Sequence, residues 1–211
     1  MYFINISFRI DYLKTQHLKI NNPLKIKMII TPIEILYFLI LTLVIGYIFS
    51  DKVSIRPKTV YDMLHPRRFN KENLIFASLV TAPAVILHEL GHKFTAMAFG
   101  YTAQFFIWPL GLVIAVVLKI INSPLILIAP GYVGIPPVAD PLQYRLIAAA
   151  GPLINLLLLG IAYFILKYHK KLTKKQTIFI ALTKQINIML FIFNILPIPP
   201  LDGSKIFLPI S

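Results

Sequence analysis

Cysteine is missing from all 211 residues. That excludes disulfides and thiolate metal ligands, so any bound metal must rely on His, Asp, Glu or Asn. Charge is also scarce. Only 14% of residues are charged, against about 25% in a typical soluble domain. Acidic residues number eight, and tryptophan occurs once. The chain opens without a clean signal peptide. Residues 1–27 mix Arg9, Lys14, Lys19, Lys25 and Lys27 with apolar residues, and no short apolar core leads to a small-residue cleavage site. Repeats, low-complexity tracts and linkers are not evident, and little length remains for a large separate soluble domain.

What remains is apolar. Hydrophobic residues make up 57% of the chain, and the mean hydropathy of +0.76 points to the bilayer. The net charge of +13 does not imply a nucleic-acid partner. The Lys and Arg residues lie between apolar segments, as flanks that meet lipid headgroups. No stripe of basic and aromatic residues suits a nucleic acid. Residues 1–30 read as a basic amphipathic lead-in, and residues 31–211 as one membrane domain.

Four spans are expected, over residues 33–49, 73–99, 142–167 and 176–196, each suited to a hydrocarbon core of roughly 30 Å. Glu34 starts the first span and reads as an interfacial residue. A polar loop over 50–72 carries Arg67 and Arg68 as headgroup anchors, and Gly100 is a plausible helix stop. Residues 101–141 do not read as one simple helix, because Pro109, Gly111, Pro130, Gly131, Gly134, Pro136 and Pro137 interrupt them. The β-branched runs 112–117 and 125–128 suit strands. They predict a re-entrant β-hairpin, since non-helical backbone at membrane depth needs cover from protein or a water cavity. The alternative is a single extra helix over 105–121. The expected fold class is therefore an all-α polytopic membrane protein with about four transmembrane helices and a short β-hairpin.

The chemistry gathers at His88-Glu89-Leu90-Gly91-His92. Residues four apart share a helix face, so both imidazoles reach one metal ion. Glu89 lies about 100° around the helix, near enough to serve an attacking water without being a ligand. Residues 79–87 and 94–100 carry no charge, so the motif is expected to work inside the membrane. Asp202 is the best third ligand, directed by Pro197, Pro199 and Pro200. Ionisable residues in apolar segments are costly and are functional candidates by default. A zinc ion on His88, His92 and Asp202 would leave one position open for water, with Glu89 as the base. Each residue also has a plainer role open to it. The histidines could be polar packing residues, Asp202 a helix terminator, Asn155 an interhelix hydrogen-bonding group, and Trp108 an interface anchor.

Three separated motifs together resemble the site-2 protease family of intramembrane zinc metalloproteases. They are His88-Glu89-Leu90-Gly91-His92, Gly151-Pro152-Leu153-Ile154-Asn155, and the run from Asn194 through Pro197 to Asp202-Gly203. The resemblance covers a core of about 73–203 and marks 31–211 as the metalloprotease domain. It implies a core of three helices and one zinc per chain on His88, His92 and Asp202. Glu89 would be the catalytic base, and Asn155 would hold the substrate backbone or stabilise the oxyanion. Residues 105–137 would form a sheet-like segment that pairs with the unwound substrate, in keeping with strand addition. Expected partners are transmembrane protein substrates and the lipid bilayer.

Two departures stand out. No PDZ-like or CBS-like regulatory domain fits, and the chain stops soon after Asp202-Gly203, where the family usually continues. Loop charge favours 50–72 and 167–175 as the cytoplasmic side, whereas the resemblance puts the site nearer the cytoplasmic face; a prokaryotic cell membrane is the expected location. The side given by the resemblance is adopted. The rival functions are an inactive relative that binds membrane partners and a zinc carrier. An intact Glu89 favours hydrolysis, because a carrier has no evident need for a base there.

Overall fold

The computed structural model describes residues 29–50, 71–121, 123 and 131–208. Apart from its last two positions, the lead-in expected over 1–30 falls outside the described residues, as do positions 51–70 of the polar loop. The elements lie in the unit Pro32–Ser211. In chain order they are α1 (Pro32–Phe49), α2 (Lys71–Ala98), β1 (Gln104–Ile107), α3 (Pro109–Ile120), β2 (Gly131–Gly134), α4 (Pro141–Tyr168), α5 (Lys174–Ile195) and α6 (Asp202–Phe207).

Helices α1, α2, α4 and α5 are each long and apolar enough to cross a membrane. Each agrees with its expected span within two residues at either end. Local chemistry sets their ends. Gly100 takes a positive φ of 87°, and the Gly100 and Tyr101 N–H groups donate to the Met97 and Ala96 carbonyls at 2.9 and 3.0 Å. This Schellman arrangement closes α2. Asp140 caps α4 by accepting from the Leu142 N–H at 2.8 Å, with Pro141 in the first turn. Thr173 and Gln176 form a capping box at the start of α5.

Helix α2 packs against α1, α4 and α5. Leu41, Ile45, Val85, Phe105, Leu112 and Leu190 join α1, α2, β1, α3 and α5 in one apolar cluster. Gly91 permits the close approach of α2 to α4, since a Cβ there would lie 2.9 Å from Ile154 and 3.0 Å from the Ala150 carbonyl oxygen. The outward faces of α4 and α5 leave Leu153, Leu157, Phe164, Ile192 and Phe193 exposed, an apolar surface that suits lipid rather than water.

Strands β1 and β2 form an antiparallel pair with Phe105 opposite Val133 and Phe106 opposite Tyr132. The sheet after the His88–His92 helix is present, but the β-branched runs do not build it. Residues 112–117 lie in α3, and residues 125–128 fall outside the described residues. The reason is backbone satisfaction. Pro109 opens a helix that meets no breaker after Gly111, and in apolar surroundings a helix satisfies its own N–H and C=O groups, outweighing β-branched preference. The alternative helix over 105–121 is thus half realised. The strands come instead from the segments flanking α3. Gly131 is needed there, because a Cβ would lie 2.5 Å from the Phe105 ring and 2.6 Å from the Phe106 carbonyl oxygen.

Candidate metal centre

Helix α2 presents His88 and His92 on one face, and α6 begins at Asp202. All three side chains are buried. His88 Nε2, His92 Nε2 and Asp202 Oδ2 form a triangle with each side 3.1 Å. A tetrahedral zinc with bonds of roughly 2.0–2.1 Å sets its ligand atoms about 3.3 Å apart. The triangle is therefore of the size such an ion requires.

The outer contacts of the histidines explain why these atoms converge. His92 Nδ1 lies 2.8 Å from the Ile147 carbonyl oxygen. A carbonyl only accepts, so Nδ1 carries the proton. His88 Nδ1 lies 2.6 Å from Asn155 Oδ1. The Asn155 amide is oriented in turn, because its Nδ2 donates to the Ala84 carbonyl at 3.2 Å and to Asn187 Oδ1 at 2.9 Å. Both neutral rings then aim bare Nε2 lone pairs at the same point. Two imidazole lone pairs and a carboxylate oxygen at 3.1 Å need positive charge among them, supplied by protons or by a metal ion. A donor set of two His and one Asp suits zinc.

Two glycines make room for this geometry. At Gly151 a Cβ would stand 2.3 Å from His92 Nε2 and 2.7 Å from His88 Cε1. At Gly203 it would stand 2.3 Å from the Leu196 carbonyl oxygen and 2.4 Å from that of Ile195. The bare backbone at 203 lets the start of α6, and with it Asp202, rest against the end of α5. Lys205 Nζ lies 3.4 Å from Asp202 Oδ1.

Glu89, next to His88 on α2, is half-buried. Asn155 is fully buried on α4, and its amide groups meet His88, Ala84 and Asn187. The structure thus brings His88, His92, Asp202 and Asn155 into one hydrogen-bonded group.

Three further polar residues are buried, one of them Glu34, which by sequence reads as interfacial. Glu34 is not interfacial: it is fully buried, pairs with Lys93 and accepts from the Phe105 N–H at 2.7 Å. Lys93, directly after His92, is also buried. Asn187 is fully buried on α5 and donates to the Thr183 carbonyl at 2.8 Å. The available signal was a polar residue inside each apolar span.

Four spanning-length helices around a buried His–His–Asp cluster define a polytopic membrane protein with a candidate metal centre. The chain belongs to peptidase family M50, whose pattern matches residues 76–179. This agrees with the site-2 protease resemblance carried by the three motifs. It is 34% identical over 133 residues to "Putative zinc metalloprotease MJ0611" of Methanocaldococcus jannaschii, covering 63% of this chain and 69% of that protein. It is 38% identical over 69 residues to "Putative zinc metalloprotease YwhC" of Bacillus subtilis, covering 29% of this chain and 32% of that protein. No solved structure matches the chain significantly.

Proposed function

We propose that the protein is a zinc endopeptidase that hydrolyses peptide bonds within or near transmembrane segments of other membrane proteins. The 3.1 Å triangle of His88 Nε2, His92 Nε2 and Asp202 Oδ2 carries this reading. These three residues would hold one zinc ion per chain. When bound, zinc supplies Lewis acidity toward the peptide carbonyl and lowers the pKa of its water to roughly 7.

The chain's own residues do the rest. Glu89 accepts a proton from the attacking water on its carboxylate and returns it to the leaving amine. Ile147 and Asn155 hold the two imidazoles by their Nδ1 atoms, so that both Nε2 atoms face inward. Asn155 had been expected to meet the substrate backbone or the oxyanion. With its amide directed to His88, Ala84 and Asn187, orientation of His88 is the role its contacts favour. Apolar packing around α2 limits water to the site, which strengthens each electrostatic contact there.

The substrates proposed are single transmembrane segments that unwind locally. A peptide bond inside a helix is shielded, and its unwound backbone needs new partners. Strand β1 follows α2 directly and pairs with β2, and this sheet would offer strand backbone for that purpose. We place the protein in a prokaryotic cell membrane, with the centre nearer the cytoplasmic face. The side of the centre follows the family resemblance.

The test is cleavage of a single-span substrate by the purified protein in lipid, beside Glu89→Gln. Cleavage by the wild type alone is the expected result. Equal cleavage by Glu89→Gln would remove Glu89 from its role. No cleavage by a zinc-loaded wild type across several substrates would favour an inactive relative that binds membrane partners.

A further inference from the structure

Helix α5 buries few residues, and Asn187 is one of them. A fully buried amide is costly unless its groups are paired. Asn187 satisfies that condition in one direction only. Its Nδ2 donates to the Thr183 carbonyl at 2.8 Å, which leaves Oδ1 to accept from Asn155 Nδ2 at 2.9 Å. Asn155 Nδ2 also donates to the Ala84 carbonyl at 3.2 Å, and Oδ1 faces His88 Nδ1 at 2.6 Å.

We infer that Asn187 and Asn155 form a two-amide relay that fixes the tautomer and ring orientation of His88. Each link is forced by the one before it. The Thr183 carbonyl accepts only, so Asn187 cannot turn its oxygen toward it. Asn187 therefore presents an oxygen to Asn155, and the Ala84 carbonyl presents another. Turning Asn155 around would set its oxygen against both acceptors. Asn155 thus keeps Oδ1 on His88 Nδ1, which must carry the proton, and the lone pair is left on Nε2 beside His92 and Asp202. The relay ties α5 to the histidine on α2 through a residue of α4. Groups hydrogen-bonded to a ligand in this way tune its basicity and orientation. Asn187 is thereby a positioning residue, remote from the reacting atoms.

This inference rests on the zinc reading above, and metal affinity tests it without reference to cleavage. Zinc affinity is measured by chelator competition in the full-length protein, and the cobalt-loaded form gives an absorption spectrum sensitive to ligand geometry. Asn155→Leu and Asn187→Leu should each weaken affinity by roughly 10–100-fold and alter the cobalt spectrum. The double variant should be no weaker than about the Asn155→Leu level, because the two act as one unit. Asn187→Ala, which removes the same acceptor with less bulk, carries the same expectation should Asn187→Leu fold poorly. Leu190→Ala serves as control. It opens a cavity one turn along α5 and should lower thermal stability while leaving affinity within about twofold. Unchanged affinity in both Asn187 variants, fully additive losses, or an equal loss in Leu190→Ala would overturn the relay and leave the zinc reading standing. A wild type that binds no zinc would overturn both.

Discussion

Glu34 and Lys93 lie 59 positions apart in sequence and form an ion pair in the protein interior. The same Glu34 oxygen accepts from the Phe105 N–H, and the Phe105 ring stacks on Phe38 with centroids 4.8 Å apart. One carboxylate thus ties α1, the residue after His92 on α2, and the first strand together. Removing one partner leaves an uncompensated buried charge, at a cost of about 3–5 kcal/mol. Glu34→Ala should lower the thermal midpoint by roughly 10 °C or more, measured in a stabilising detergent. Glu34→Leu combined with Lys93→Met should recover most of that loss, because no charge is then stranded. A double variant as unstable as the single one would count against a buried pair.

Gly151 should tolerate no side chain. The atoms that an added Cβ would meet are the ends of the His88 and His92 rings, which can turn aside without disturbing the helices. Turning them breaks the Nε2 convergence. Gly151→Ala is therefore expected to keep its helical circular dichroism and to lose at least about tenfold in zinc affinity, the size of effect typical for displaced ligands or their supports. Retained affinity with retained fold would show that the triangle has more slack than 3.1 Å contacts imply.

Metal binding should depend on pH in one direction. Zinc competes with protons for the two Nε2 atoms and Asp202 Oδ2, so loading releases protons. Affinity should therefore rise as pH increases and proton competition for the ligand atoms falls. Chelator-treated protein should regain thermal stability on adding zinc, by an amount set by the ratio of free zinc to its dissociation constant. A flat affinity profile would argue against histidine ligation.

Much of this was legible in sequence. The four spans stand out as long apolar runs, and His88, His92 and Asp202 as ionisable residues within or beside them. Their meeting was foreseen from the shared helix face of positions 88 and 92 and from the prolines before 202. The strands were misplaced because β-branched content at 112–117 is a weak guide where a helix alone satisfies the backbone. Glu34 looked interfacial because its partner is 59 residues away, and an acid in a first helical turn usually faces water. Asn187 gave no sign of purpose until α5 lay against α4 and set its amide beside Asn155. Pairings between distant helices are written in packing, which hydropathy does not record.

The most direct test of the account is the number of zinc ions per chain, counted by elemental mass spectrometry in the wild type, Glu89→Gln and Asp202→Ala. One zinc per chain in the wild type and in Glu89→Gln is predicted, with most of it lost in Asp202→Ala. Full zinc in Asp202→Ala, or none in the wild type after reconstitution, would contradict the centre described for His88, His92 and Asp202.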